Sequence, residues 1–362
     1  MPSQKGADIQ QRVFENIASL LGIPDASFEP AGIPPATLDF RGTLSLRGNQ
    51  ILVAGEAKSV GEPWAIRSAI HRLVEHRDQN PEYLPLLLSE SIGPNGRALC
   101  KRYAIAYVDL LGNCYLEWGD IYIDKARDGA RSGPPKRAKS LFSDKASLVI
   151  RAALDVVGQP QQVRTLSRQL GVSPAWVSQV LRRLVSAGYA ARVEQGTVIS
   201  RPLDLLNDWA ESYSFARRND LRSFFCEAPN PEQVIARVAS VSTREVGRYA
   251  LTLHAGASLV APFSEYHEVH IYVDSSGSRE ETERVWKETL DLQPVQTGGN
   301  FYLTWPYYKE GVFYDSREID GVWVASDIQL YIDLYNYPIR GREQAEYLMR
   351  NRLAHLDSQR EL

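Results

Sequence analysis

The stretch SPAWVSQVLRRLVSAGYAARVEQGTVISRP, residues 173–202, decides how the chain reads. Ser173 followed by Pro174 is a helix start. A serine hydroxyl can accept from a free N–H of the first turn, and proline at the first helical position gives up an N–H that has no partner anyway. Val177, Val180, Leu181 and Leu184 then recur at helical spacing as one apolar stripe, and Gly188 suits a stop. Beyond it, YAARVEQGTVIS reads as two short strands around a turn at Gln195-Gly196. The side of the helix away from the stripe holds Ala175, Trp176, Ser178, Gln179, Arg182 and Arg183, of which Trp176 is expected to pack against the preceding helix.

Upstream, Ser143 can cap a helix through KASLVIRAALDVV, VRTLSRQL gives a second, and the turn GVS leads into the third. Helix, helix, short Gly-containing turn, helix and β-hairpin over residues 143–202 resemble a winged helix-turn-helix. That resemblance implies that the third helix enters the major groove of duplex DNA. Ser173 and Ala175 would then lie against the DNA, Ser178 and Gln179 within reach of base edges, with glutamine able to bond adenine bidentately, while Arg182 and Arg183, and Arg192 on the wing, hold phosphates. Charge supports a polyanion partner. Between Gly133 and Arg201 eleven basic residues face three acidic ones, a net of +8, so the rest of a chain at −3 carries −11. Lys136, Arg137 and Lys139 of the linker KARDGARSGPPKRAKS belong to this basic stretch. The competing reading is a protein-interaction module whose basic face is merely solvated.

The N-terminal region alternates helices and strands. An amphipathic helix over 8–21 (DIQQRVFENIASLL) precedes strands in TLDFRGTLSLRG and ILVAGEAKSVG, joined by a Gly48-Asn49 turn, then a helix from Pro63 to about His76, a strand at YLPLLLSE, a helix from Pro94 to Tyr103 and strands through IAYVDLLGNCYLEW and DIYI. In ILVAGEAKSVG, Leu52, Ala54, Glu56 and Lys58 share one face, which places a carboxylate and an ammonium about 6 to 7 Å apart along the strand. Pairing with the preceding strand brings Asp39 near Glu56. Asp39 with Glu56 and Lys58 resembles the site of PD-(D/E)xK, or restriction-endonuclease-like, nucleases. The resemblance implies Asp39 and Glu56 as ligands of Mg²⁺ and Lys58 as the residue that orients water or offsets phosphate charge. Glu15 on the first helix is a further carboxylate that could join, and SFEP near residue 28 would complete the strand count of such a core. The alternative is a plain ion pair near a sheet edge.

After Pro202 the chain turns acidic and aromatic. Helices are expected in LDLLNDWAESYSF, RYALTLHAGASLVAPF and ERVWKETLDL, strands in EVHIYVD, GGNFYLTWPYY and GVFYD, and two final helices in VASDIQLYIDLYNYPIRGREQAEYLMRNRL, the first opened by a capping box of Ser326 and Gln329. His267 and His270 in YHEVH lie three apart, so on a strand they diverge and do not make a metal pair. The aromatics of FYLTWPYY are expected to fill a core rather than stack on bases. Cys100, Cys114 and Cys226 are odd in number and in no C-x-x-C pattern, as free thiols of a reducing compartment are. No Gly-rich phosphate loop and no Ser-His-Asp or Cys-His constellation stands out. No leader and no membrane span is expected, and a cytoplasmic location follows.

Taken in order, the E-x-K domain, VDLLGNCYLEW, the linker ending in KSLFSDKA, the winged helix with SPAWVSQVLRRL and the closing SDIQLYIDLYNYPIRGREQAEYL resemble the AbiEi-like family of transcriptional regulators, the antitoxin-type components of type IV toxin-antitoxin systems. The expected architecture is α/β (α+β) and multidomain: a restriction-endonuclease-like α/β domain over 1–125, a basic linker over 126–140, a winged helix-turn-helix over 141–203 and a C-terminal α/β antitoxin-like domain over 204–362. The resemblance implies a double-stranded operator as partner, repression of the protein's own operon, and a nucleotidyltransferase-like toxin counteracted without a stable complex. A homodimer is compatible with it. The better-known members lack the N-terminal domain, so its activity is not implied. The alternative function is a Mg²⁺-dependent endonuclease to which the winged helix delivers DNA.

Overall fold

The computed structural model describes residues 4–32, 38–58, 63–126, 141–274 and 277–357. The chain is mixed α/β and divides into two compact units, Met1–Ser140 with Leu184–Gly188, and Leu141–Arg183 with Tyr189–Leu362.

The first unit begins with α1 (Gln4–Glu15) and α2 (Ile17–Leu21). The one helix expected over 8–21 is broken at Asn16, whose side-chain amide donates to the Arg12 carbonyl and competes with the helical ladder. Strands β1 (Ser27–Pro30), β2 (Phe40–Leu46) and β3 (Asn49–Lys58) form an antiparallel meander, in which SFEP is β1. The β2–β3 turn sits one residue earlier than expected, at Arg47-Gly48, both at positive φ, with Leu46 paired to Asn49. Helix α3 (Pro63–Gln79) crosses to β4 (Leu84–Ser89), parallel to β3, and α4 (Pro94–Arg102) to β5 (Ala106–Asp109), again parallel. Antiparallel β6 (Cys114–Trp118) and β7 (Ile121–Lys125) complete a seven-stranded sheet whose spatial order follows the chain.

Strand alternation then sorts the side chains. Val53 and Ala57 join Ile9, Val13 and Ile17 of α1 and α2, whereas Ala54 joins Ile66, Ala69, Ile70 and Leu73 of α3. The helices therefore cover opposite faces of β3, and Glu56 falls on the face of α3. Gly55 is what lets the neighbouring strands close here: a Cβ at this position would lie 2.2 Å from the Phe40 ring and 2.3 Å from the Leu86 carbonyl oxygen.

The second unit opens with α5 (Asp144–Asp155), α6 (Val163–Leu170) and α7 (Pro174–Ser186), followed by the two-stranded hairpin β8 (Ala190–Val193) and β9 (Gly196–Ile199). Ser143 stands at the N-cap of α5 with extended backbone, but its hydroxyl makes no capping bond. Ser173 does cap α7, accepting from Trp176 N at 3.3 Å. Then come α8 (Pro202–Ser212), α9 (Phe215–Arg218), β10 (Asp220–Phe225), α10 (Pro231–Ala239), α11 (Thr243–Val246), β11 (Tyr249–Thr252), α12 (Leu253–Ser258), β12 (Val269–Val273), α13 (Arg279–Leu290), β13 (Gln293–Pro294), β14 (Phe301–Trp305), β15 (Arg317–Ile319), β16 (Val322–Val324), α14 (Asp327–Tyr335) and α15 (Gly341–Arg352). The strands β10 to β16 form a mixed sheet in the order β13-β10-β14-β12-β11-β16-β15.

Two expectations fail here. The front half of RYALTLHAGASLVAPF is strand β11, antiparallel to β12, with a helix of only six residues after it, because its scattered polar residues set no clear period to separate strand from helix. GVFYD is not a strand, since Gly311–Phe313 make a 3-10 turn. The aromatics of FYLTWPYY do fill the core: Phe301, Leu303, Trp305 and Tyr308 are buried. The three cysteines are free and buried, and burial raises the thiols of Cys100 and Cys114 above their ordinary value, which makes them poor nucleophiles. Among the described residues no helix is long and apolar enough to cross a membrane.

A buried polar network ties α5 to the second sheet. Arg151 of α5 is wholly buried, its guanidinium 4.8 Å from the Trp209 ring centroid of α8, and its Nη2 donates to Gln329 Oε1 of α14 at 2.5 Å. Ser326 caps α14 through Gln329 N, but the reciprocal half of a capping box is absent, because the Gln329 side chain is committed to Arg151 and to Asp333 Oδ1 at 2.7 Å. Asp333 also accepts from Thr252 Oγ1 at 2.5 Å and Tyr272 Oη at 2.9 Å. Burial pushes the Asp333 carboxyl up to about 7, against those hydrogen bonds and the charge of Arg151, which favour the ionised form. The folded chain therefore keeps a proton that the unfolded chain releases near pH 4, so this group's stabilisation is full below that value and lost as pH rises through 7. Asp333→Asn is expected to remove a component on the order of 4 kcal/mol from the pH dependence. Urea unfolding of both proteins between about pH 3 and 8 measures it as the difference of the two curves.

Candidate functional site

Two arrangements carry chemistry that the sequence singled out, one in each unit. In the second unit, α7 turns Val177, Val180, Leu181 and Leu184 inward and leaves Ala175, Gln179 and Arg182 exposed, with Ser178 and Arg183 half-buried. Ser173 is exposed at the helix start and Arg192 on β8. Trp176 is half-buried with its indole nitrogen shut away from water, as a packing residue requires.

Between α7 and the hairpin lies a concavity of about 420 Å³, to which Gln162, Ser178, Arg182, Arg192 and Gln195 contribute. The hairpin is held against the α5–α6 connection by Gln161, which pairs with Thr197 through bonds of 2.7 and 3.1 Å. Gly196 makes that possible: at φ +150° it accepts a backbone approach that would leave a Cβ 2.5 Å from the Gln161 carbonyl oxygen. The β-turn itself centres on Glu194-Gln195, one residue before the expected place, with Val193 paired to Gly196. Lys136, Arg137 and Lys139 lie outside the described residues. Of the basic residues between Gly133 and Arg201, Arg151 is no surface charge at all, being wholly buried.

In the first unit Asp39, Glu56 and Lys58 do come together. Lys58 Nζ lies 2.5 Å from Glu56 Oε2 and 3.5 Å from Asp39 Oδ2, and the same Asp39 oxygen accepts from Ala57 N at 2.9 Å. A fourth residue, unforeseen from sequence, decides what the cluster is. Arg72, projecting from α3, grips Glu56 with both arms of its fork, Nε to Oε1 and Nη2 to Oε2 at 2.6 Å, and its Nη1 donates to Ser68 Oγ at 2.9 Å. Glu56 is 1% exposed while the Arg72 side chain keeps 32% of its surface in solvent, so the carboxylate is the desolvated partner, and the hydrogen bond to it holds the Arg72 guanidinium above its ordinary value.

The residues do not fit a magnesium ion. Mg²⁺ requires free carboxylate oxygens and its own waters in octahedral array. Here both oxygens of Glu56 are taken by cations, and Lys58 with Arg72 already balances Asp39 and Glu56 charge for charge. Glu15 cannot supply another ligand, since α1 covers the opposite face of the sheet and the carboxylate is exposed, accepting from Gln11. Among the described residues no three His, Cys, Asp or Glu side chains stand close enough to hold a metal. Nothing in the local sequence announces Arg72. Ser68 and Arg72 share a helix face at i, i+4, but their meeting with Glu56 follows from how α3 crosses β3.

No family model matches the chain, and no curated protein or solved structure matches it either.

Arg72→Ala would leave Glu56 buried with Lys58 as its remaining cation, and it is expected to cost roughly 3 kcal/mol of stability. The paired change Glu56→Met with Arg72→Met, which removes both charges, is expected to recover most of that loss, and urea midpoints of the three proteins report the difference.

Proposed function

We propose that the protein is a sequence-specific binder of double-stranded DNA, a regulator of the antitoxin-like kind, in which residues 143–202 act as a winged helix-turn-helix. One observation carries the reading: α7 buries its apolar stripe and leaves Gln179 and Arg182 exposed beside a groove shared with Arg192. Helix α7 lies in the major groove, with Ser178 and Gln179 at base edges, Arg182 and Arg192 on phosphates, and Arg183 and the linker cations Lys136, Arg137 and Lys139 adding sequence-independent attraction. Repression of its own operon, with a nucleotidyltransferase-like toxin as counterpart, rests on the family resemblance.

The N-terminal unit serves in this reading as a nuclease-derived scaffold. Its meander, crossover helix and parallel strands are compatible with descent from a restriction-endonuclease-like core, and Arg72 takes up both carboxylate oxygens of Glu56 that a metal would need. An arginine that neutralises the carboxylate supports structure rather than hydrolysis.

Binding to DNA from upstream of the protein's own gene, followed by fluorescence anisotropy at several salt concentrations, tests the docking. Arg182→Ala with Arg192→Ala is expected to weaken specific and random DNA alike and to flatten the log K against log salt slope by about 2. Gln179→Ala is expected to relax preference at one base pair by roughly 1–3 kcal/mol. Unchanged affinity in the double arginine variant would remove the docking mode. Supercoiled plasmid is expected to stay intact with Mg²⁺ or Mn²⁺, and nicking that disappears in Lys58→Ala would replace the scaffold by the endonuclease.

A further inference from the structure

We propose that a second pocket, in the C-terminal part of the second unit, binds a small organic cation bearing N–H donors, an amine or a guanidinium. The pocket measures about 300 Å³, room for a small molecule, and it lies between the start of α12, the approach to β12 and the segment joining α14 to α15.

Backbone strain gathers there. Eight non-glycine residues among those described have positive φ, and three of them line this pocket: Leu253 at 53°, Ile339 at 58° and Arg340 at 61°. For a β-branched residue such as Ile339 this region is strongly disfavoured, and strain of this kind persists where surrounding structure imposes it, most often at ligand sites.

Two carboxylates, Glu265 and Glu268, and three imidazoles, His254, His267 and His270, line the wall. His254, 7% exposed, bonds the Arg340 backbone carbonyl, while its Nε2 has no partner. The donating nitrogen is therefore Nδ1, and Nε2 carries a bare lone pair. His270, 3% exposed, stands with Nε2 3.3 Å from Glu268 Oε2, which makes Nε2 its protonated nitrogen and leaves the unpartnered Nδ1 as a second acceptor. Burial holds both imidazoles below their ordinary value, so they are neutral at pH 7. Glu268 accepts from Tyr302 Oη at 3.1 Å and Tyr337 Oη at 3.2 Å, and its bond to His270 keeps the carboxyl below the usual range, hence charged.

The one cation at the rim, Arg340, is directed elsewhere, to Glu343 Oε2 at 2.8 Å and over the Phe263 ring. A carboxylate, an unpartnered buried lone pair and two neighbouring tyrosines, Tyr266 and Tyr337, suit a ligand that is positive and donates. An anion would meet Glu268 and Glu265. A metal ion would need a third His or carboxylate within reach, which is not present among the described residues.

The test titrates the full chain with agmatine and putrescine, against inorganic phosphate and Zn²⁺, by calorimetry. One site for agmatine or putrescine is expected, weakened at least tenfold in Glu268→Gln, a half-exposed position where the amide keeps the shape. In ¹⁵N spectra the Nε2 signal of His254 is expected to move from the bare to the hydrogen-bonded range on adding the binding amine. His254→Gln, checked for an unchanged circular dichroism spectrum, should weaken the same amine. Equal affinity in Glu268→Gln overturns the proposal. So does saturation by phosphate or Zn²⁺ without any by the amines, or no heat from either amine at millimolar concentration.

Discussion

A guanidinium cut off from water sits where α5, α8 and α14 meet, and the second unit is arranged around its needs. Taking such a charge out of solvent costs several kcal/mol, and it is tolerated only where other groups replace the lost hydration. Arg151 finds the faces of Trp209 and Tyr308, at 4.8 and 5.8 Å, and a single direct bond, to Gln329. Its Nε and Nη1 have no hydrogen-bond partner, so the aromatic enclosure carries much of the compensation. The enclosure is itself braced. Trp209 Nε1 donates to Tyr308 Oη at 2.8 Å, Tyr308 Oη donates to the Phe142 carbonyl at 3.2 Å, and the Phe142 ring stacks on Trp209. Trp209, Tyr308 and Phe142 are thus each placed by another, so the aromatic enclosure keeps its shape around the two unpaired nitrogens.

The first unit solves a similar problem differently. Glu56 must be buried because Ala54 and the apolar side of α3 close over that face of β3, and its charge is met by a bidentate fork and an ammonium. Lys58 completes the balance with Asp39, so four charges at the end of one strand sum to zero. The residue types of a phosphate-cleaving centre and of a stable ion-pair cluster are nearly the same. What separates them is whether a helix delivers an arginine to the carboxylate or leaves it open to an ion.

Much of this was legible in the chain because local chemistry and burial agree. Ser173 and Pro174 open α7, the stripe from Val177 to Leu184 faces inward, and the alternation of β3 sends Val53 and Ala57 one way and Ala54 and Glu56 the other. Pattern failed where it carries no period or where partners come from afar. RYALTL shows no clear polar period, and its pairing with β12 makes its middle a strand. His254, which lines one pocket with His267 and His270, lies thirteen residues or more before them in the chain, and no local spacing ties it to them. Arg72 and Glu56 are sixteen residues apart, and Arg151 and Gln329 are 178 apart, separations that no local rule bridges.

The burial of Arg151 also bears on how freely the helical segment can be moved between proteins. A polypeptide ending at Pro202 keeps the arginine but loses Trp209, Tyr308 and Gln329, so an enclosed charge and its aromatic jacket are parted at the cut. Segments of this kind are commonly treated as interchangeable heads. This one is grafted by its first helix onto the sheet that follows, and its portability ends where that root is severed.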